Sequence, residues 1–221
     1  MNLSKYIDHT LLKATATESD IIQLCKEAKK YKFYAVCVNS CYVDLCKSTL
    51  QNSVVKIAAV IGFPLGAMDT LAKISECKSA LVLGADEFDM VINIGFLKDK
   101  KYDLVEDEIK KIKKIIGNKV LKVIIETCYL TDEEKKIATQ IVVKAGADFV
   151  KTSTGFGTGG ATLEDIQLMK SVAQDAIKIK ASGGIRDYET ALKYIELGVT
   201  RIGTSNGIQI VTGEKGNDKT Y

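Results

Sequence analysis

The chain has 221 residues, 46% of them hydrophobic, with a net charge of +3 carried by scattered lysines. That length and apolar content suit one buried core, and the lack of a basic block excludes the arm or stripe that grips nucleic acid. Six cysteines form no C-x-x-C pair, His9 is the single histidine and the charged first thirty residues hold no continuous apolar run, so neither metal, cofactor, signal peptide nor membrane anchor is expected, and reduced thiols point to the cytoplasm.

In chain order, Asp8 to Leu12 is a candidate first strand, and Thr17-Glu18-Ser19-Asp20 is a helix start, with a capping threonine and a carboxylate three residues later. Short β-rich runs then recur at Ala35 to Val38, Lys56 to Ile61, Glu87 to Asn93, Leu121 to Thr127, Phe149 to Ser153, Ile177 to Ala181 and Thr200 to Thr204. Thr131-Asp132-Glu133-Glu134 and Thr162-Leu163-Glu164-Asp165 repeat the start signal between them, while Gly84, Gly146 and Gly198 supply stops. Eight strands alternating with helices predict an α/β protein of the (β/α)8 barrel type, somewhat short of the usual ~250 residues. An open doubly wound sheet is the alternative. No linker interrupts the series and Pro64 is the only proline, so residues 1–221 read as a single domain, with 212–221 expected as a mobile C-terminal tail.

Residues on the outer face of a barrel strand pack against helices and should be apolar, which leaves alternate residues pointing inward. In Glu87 to Asn93 the apolar set Phe88, Met90 and Ile92 leaves Glu87, Asp89 and Asn93 inside. The same alternation directs Cys37 and Asn39, Lys122 and Glu126, Lys151 and Ser153, Lys180 and Ser182, and Arg201 and Ser205 inward. A buried lysine without a partner loses stability or its proton, so these charges need mutual compensation. A structural ion-pair cluster would supply it. The placement of Asp89, Lys151 and Lys180 toward the C-terminal strand ends, where barrel enzymes hold their chemistry, favours a catalytic site.

After Lys151 comes Thr-Ser-Thr-Gly-Phe-Gly-Thr-Gly-Gly, in which Gly155, Gly157 and Gly160 satisfy the dinucleotide pattern G-x-G-x-x-G. The glycines begin four residues past Lys151 rather than in the tight turn directly after a strand, and the next strand ends in lysine and serine instead of an acidic residue. Both features weigh against a nucleotide. Lys151 is then the feature of the stretch: an amine acts as a nucleophile only when neutral, and a second ammonium on the next strand, Lys180, lowers its pKa. Gly155, Gly183 and Gly184, and Gly203 with Ser205, lie in the loops where barrels bind phosphate through backbone amides, although such glycines also close tight turns.

Five motifs, Asp8-His9-Thr10-Leu11-Leu12, Val60-Ile61-Gly62-Phe63-Pro64-Leu65-Gly66, Gly84-Ala85-Asp86-Glu87 through Asn93-Ile94-Gly95, Lys151-Thr152-Ser153-Thr154-Gly155-Phe156-Gly157 and Lys180-Ala181-Ser182-Gly183-Gly184-Ile185-Arg186, run almost end to end. In this order they closely resemble the bacterial deoxyribose-phosphate aldolase family. The resemblance implies reversible cleavage of 2-deoxy-D-ribose 5-phosphate into acetaldehyde and D-glyceraldehyde 3-phosphate in deoxynucleoside catabolism. It implies that Lys151 forms the imine, with Asp89 and Lys180 as proton donor and acceptor. Breaking a bond beside a carbonyl needs an iminium or a metal as electron sink, and one histidine is too few for the usual metal-dependent site. Asp8 and Thr10 are expected to contact substrate or orient the network, His9 to pack beside them, and Cys37 to be a small buried spacer. The partners implied are sugar phosphate and aldehyde, with no nucleic acid and no membrane; a homodimer is left open.

Phe156 stands where some members of that family carry a basic residue that reaches the phosphate, and Ser205-Asn206 stands where some have paired serines. In some relatives a terminal tyrosine assists proton transfer, which nominates Tyr221. A Schiff-base aldolase for another sugar phosphate and a non-catalytic sugar-phosphate-binding barrel are the competing readings.

Overall fold

The computed structural model describes residues 1–213, and in it eight parallel strands close into a barrel in sequence order. They are β1 Ile7–Leu11, β2 Ala35–Val38, β3 Lys56–Ile61, β4 Glu87–Val91, β5 Val120–Ile124, β6 Phe149–Lys151, β7 Lys178–Ser182 and β8 Arg201–Thr204. Closure comes from β1, in which Asp8 pairs with Ala35 on one side and Gly203 on the other. The helices are α1 Glu18–Tyr31, α2 Val43–Thr49, α3 Thr70–Leu83, α4 Ile94–Lys98, α5 Tyr102–Ile116, α6 Asp132–Lys144, α7 Leu163–Ala173, α8 Tyr188–Glu196 and α9 Gly207–Thr212. This is the (β/α)8 architecture, not the open sheet.

The helix starts form for the reasons read in the sequence. Thr17 and Asp20 make a reciprocal capping box on α1, Thr131 and Glu134 make another on α6, and the Thr162 hydroxyl accepts from the Asp165 amide at the head of α7. Gly84 ends α3 in the left-handed conformation that a residue with a side chain enters at a cost.

Alternation along the strands sorts the chain into two cores. Val36, Ile57, Phe88, Leu121, Val150, Ile179 and Ile202 point outward and merge with helix residues such as Ile21, Ile109, Val142 and Ile166 in one apolar layer, whose removal from water is the main stabilising contribution. Inside the barrel, Leu12, Cys37, Ala58 and Val60 form a separate small apolar cluster under Phe63. Charged side chains occupy much of the remaining interior, beside buried Phe149, which lies 5.5 Å from the Arg201 guanidinium.

Several strands stop earlier than their apolar runs. β4 ends at Val91, so Asn93 does not point into the barrel from a strand; its side chain accepts from the Phe96 amide and caps α4. β5 ends at Ile124, and Glu126 lies beyond it with φ +53°. Ser153 and Ser205 likewise fall past the ends of β6 and β8. Alternation belongs to the pleat and carries no information once the backbone turns. At the other end Thr212 closes α9 rather than opening a tail. Residues 214–221, and with them Tyr221, lie outside the described residues. Among the described residues no helix is long and apolar enough to cross a membrane.

Candidate active site

Strand register brings the charged residues together. Lys151 on β6 pairs directly with Lys180 on β7, which pairs with Arg201 on β8; on the far side Asp89 pairs with Lys122. All five side chains turn inward, and Asp89, Lys122 and Lys180 have no exposure at all. The Lys151 and Lys180 ammonium nitrogens both approach the same oxygen, Asp89 Oδ2, at 2.8 and 2.7 Å. Lys180 also donates to Asp8 Oδ2. Lys122 lies 2.8 Å from Asp89 Oδ1 and 2.6 Å from Glu87, and Arg201 lies 2.9 Å from both Asp8 and Glu87.

Among the described residues the connected ion pairs contain four cations, Lys122, Lys151, Lys180 and Arg201, and three carboxylates, Asp8, Glu87 and Asp89. An uncompensated charge in a low-dielectric interior is unfavourable, and the set balances if one amine gives up its proton. The electrostatics single out Lys151. Burial pushes its amine below the ordinary lysine value; Asp89 pulls it back, and the Lys180 charge reinforces burial. Burial acts on Lys180 in the same direction, yet Asp8 and Asp89 override it and hold that amine above its usual value. Asp89 also resists burial, because Lys122, Lys151 and Lys180 keep it well below the ordinary carboxylate range. Asp8 is held low against burial by Arg201, Lys180 and Lys122. One amine is therefore pushed toward its neutral form beside another held in its charged form.

Beyond the strand ends the glycine loops enclose a cavity of about 140 Å³ lined by Gly155, Gly157 to Gly160, Gly183 to Arg186, and Thr204 to Asn206. Two of these loops touch backbone to backbone: a Cβ on Gly160 would sit 2.3 Å from the Gly183 carbonyl oxygen. The Ala161 amide closes the contact by donating to the carbonyls of Ser182 and Gly183. Successive backbone amides in such turns make a concavity suited to an anion.

The sequence-derived residues divide as follows. Lys151, Lys180, Asp89 and Asp8 meet in one network, and Gly155, Gly183, Gly184 and Ser205 line the neighbouring cavity. Gly203 has a different part: a Cβ there would lie 3.1 Å from Lys180 Cε, so its missing side chain makes room for the lysine stem. Thr10 is buried and donates to the Asp8 carbonyl. Cys37 sits in the apolar half of the interior, where burial, reinforced by Asp89, pushes its thiol up and away from the reactive thiolate. His9 faces outward and pairs with Glu27 at 2.8 Å. Phe156 packs edge-on against Phe63 with centroids 5.3 Å apart.

The structure also adds residues. Lys122, Glu87 and Arg201 were legible as inward-facing charges in need of compensation, but which of them pair was not, since alternation gives a face and not a partner. Arg186 lines the glycine cavity; its signal is an arginine directly after Gly183-Gly184-Ile185, in a loop already nominated for phosphate.

A family model described as DeoC/LacD family aldolase matches residues 3–210. The chain is 61% identical over 213 residues to the deoxyribose-phosphate aldolase of Finegoldia magna, covering 96% of this chain and all of that one. Among solved structures, one named QR15, an aldolase, shares 47% identity with a TM-score of 0.92, covering 96% of this chain and 95% of its own. The deoxyribose phosphate aldolase of Aeropyrum pernix, described as a unique tetramer, shares 33% identity with a TM-score of 0.90, covering 96% and 90%. With its barrel, its inward lysine pair and a family match over nearly its whole length, the chain belongs to the DeoC/LacD family of aldolases.

Proposed function

We propose that the chain reversibly cleaves 2-deoxy-D-ribose 5-phosphate into acetaldehyde and D-glyceraldehyde 3-phosphate through an imine on Lys151, as a carbon-carbon lyase of deoxynucleoside catabolism. The observation that carries this reading is the shared oxygen of Asp89, which holds a lysine pushed toward neutrality within 2.8 Å and a lysine held protonated within 2.7 Å.

Neutral Lys151 attacks the open-chain aldehyde at C1, and the resulting carbinolamine loses water after proton transfer from Lys180 through Asp89. The iminium is the electron sink. As the C3 hydroxyl gives up its proton to the Asp89 and Lys180 pair, the C2–C3 bond breaks, its electrons pass to the C1–C2 bond and the iminium nitrogen becomes an enamine. D-glyceraldehyde 3-phosphate leaves, C2 takes back a proton from the same pair, and water releases acetaldehyde and restores the amine. Lys122 and Arg201 favour the ionised forms of Asp89 and Asp8, so that Asp89 gives up each proton it relays.

The glycine cavity takes the phosphate, a role supported by its backbone amides and by Arg186 in its lining. The cysteine pattern supports a cytoplasmic setting. The homodimer left open by the sequence has a different counterpart in the Aeropyrum pernix relative, which is described as a tetramer.

Borohydride reduction in the presence of acetaldehyde, followed by mass mapping, tests the assignment. A two-carbon adduct confined to Lys151 is the expected result. An adduct on Lys180 would reverse the two roles, and folded protein without any adduct would leave a sugar-phosphate-binding barrel.

A further inference from the structure

Glu126 carries a buried carboxylate that the ion-pair network does not use. It lies just past β5 with φ +53°, a left-handed backbone that a residue with a side chain holds only when its surroundings impose it. Its side chain crosses to the loop after β6. Glu126 Oε1 and Oε2 accept from the Thr154 amide at 3.1 and 3.3 Å, and Oε2 also accepts from the Thr154 hydroxyl. That hydroxyl in turn accepts from the Phe156 amide at 3.0 Å. The chain of bonds therefore runs from a fixed carboxylate, through Thr154, into the glycine loop at its first turn.

The glycine loop is fitted around this contact. A Cβ on Gly157 would lie 2.7 Å from Cys128 Sγ and 3.3 Å from Glu126 Cδ, so a side chain at 157 would have to displace Cys128 for the loop to keep this approach. Gly155 and Gly157 to Gly160 form one wall of the cavity whose other walls are Gly183 to Arg186 and Thr204 to Asn206, whereas neither Glu126 nor Thr154 lines it. Lys151 lies three residues before Thr154 on the strand itself, where ladder pairing with Ile124 and Lys180 holds it independently of the loop.

We propose that Glu126 is a positioning residue for phosphate recognition: through Thr154 it fixes the glycine loop in the shape that receives the phosphate of the substrate, without touching substrate itself. This inference rests on the reading of the glycine cavity as the phosphate site. It assigns recognition of the phosphorylated sugar to a contact outside the cavity, and so separates binding of the phosphate from chemistry at Lys151.

The test compares 2-deoxy-D-ribose 5-phosphate with 2-deoxy-D-ribose for the variants Thr154→Val, Thr154→Ser, Glu126→Gln and Arg186→Met. Loss of a charge-assisted hydrogen bond in Thr154→Val should raise KM for the phosphorylated sugar about tenfold. Its kcat, and kcat/KM on the unphosphorylated sugar, should stay within about twofold of the parent, as expected when an interaction shared by ground and transition state is lost. Thr154→Ser, which keeps the hydroxyl, should restore the parent KM, and Glu126→Gln should raise the same KM because its amide donates where the carboxylate accepted. Equal loss on both sugars would reduce the contact to a structural brace and overturn the proposal. An unchanged KM in Thr154→Val, with a raised one in Arg186→Met, would overturn the proposal while keeping the cavity as the phosphate site. An unchanged preference in Arg186→Met would overturn the cavity reading and the proposal together.

Discussion

Two ammonium groups share one oxygen of Asp89, yet their surroundings drive them to opposite protonation states. Among the described residues Lys180 ion-pairs with a second carboxylate, Asp8, whereas Lys151 ion-pairs with Asp89. Replacing Lys180 by Met should therefore act on Lys151 in one direction. Removal of a neighbouring cation raises the Lys151 pKa, and Asp8 and Asp89, each short of one partner, draw it up further. The midpoint of borohydride trapping against pH should move to higher pH, and the reaction near neutrality should slow about tenfold for each unit the midpoint moves. Trapping should recover as the solution is made alkaline. A pH profile with an unmoved midpoint would remove Lys180 as the activator. The pairing of these lysines was legible in the sequence because both fall on inward positions of consecutive strands. The relative weight of burial and neighbouring charge on Lys151 was not: burial is the larger, and how fully a barrel encloses a side chain has no signature in the spacing of residues.

At the scale of elements, helix starts were legible and strand ends were not. Thr17, Thr131 and Thr162 are caps because a side-chain oxygen next to an orphaned amide is a local arrangement, written within four residues. The ends of β4 and β5 depend on what packs above them. Lys73 shows how far such a dependence can hide. It sits on α3 in a helical pattern where a lysine reads as solvent-facing, but it is fully buried and donates at 2.8 Å both to the Val91 carbonyl, the last residue of β4, and to Glu108 of α5. Burial lowers the Lys73 amine and raises the Glu108 carboxyl, each against the pull of its partner. The pair is therefore a junction between elements whose desolvation exceeds its mutual attraction. Glu108→Leu should destabilise the fold by about 3–5 kcal/mol because it strands a buried ammonium, whereas Lys73→Met with Glu108→Leu should fall within about 1 kcal/mol of the parent. Urea unfolding of the parent, the single and the double variant measures both. Equal losses in single and double variants would mean that the Val91 bond, rather than the ion pair, holds the junction.

At the scale of the molecule, the barrel interior is divided. Leu12, Cys37, Ala58 and Val60 form an apolar cluster on one side, and the charged network lies beside it. A four-to-three excess of cations over carboxylates keeps one amine ready to react, and that readiness opposes stability. The sign follows from proton linkage. Lys151 has a lowered pKa in the folded protein and an ordinary one near ~10.4 when unfolded, so between those values the unfolded chain binds more protons and stability rises with pH. Below the folded value both states are protonated and the unfavourable contribution is present in full. Lys151→Met removes it and leaves three cations facing three carboxylates. That variant, inactive in imine formation, should melt above the parent at pH 7, by roughly 2–4 °C for each kcal/mol relieved in a chain of this size. The gap should narrow as pH approaches about 10, where the parent amine loses its proton in both states. Paired thermal melts across that range decide the matter. If the variant instead melts below the parent by an amount that does not change with pH, the bond from Lys151 to Asp89 outweighs the excess charge, and the lysine that carries the chemistry also supports the fold.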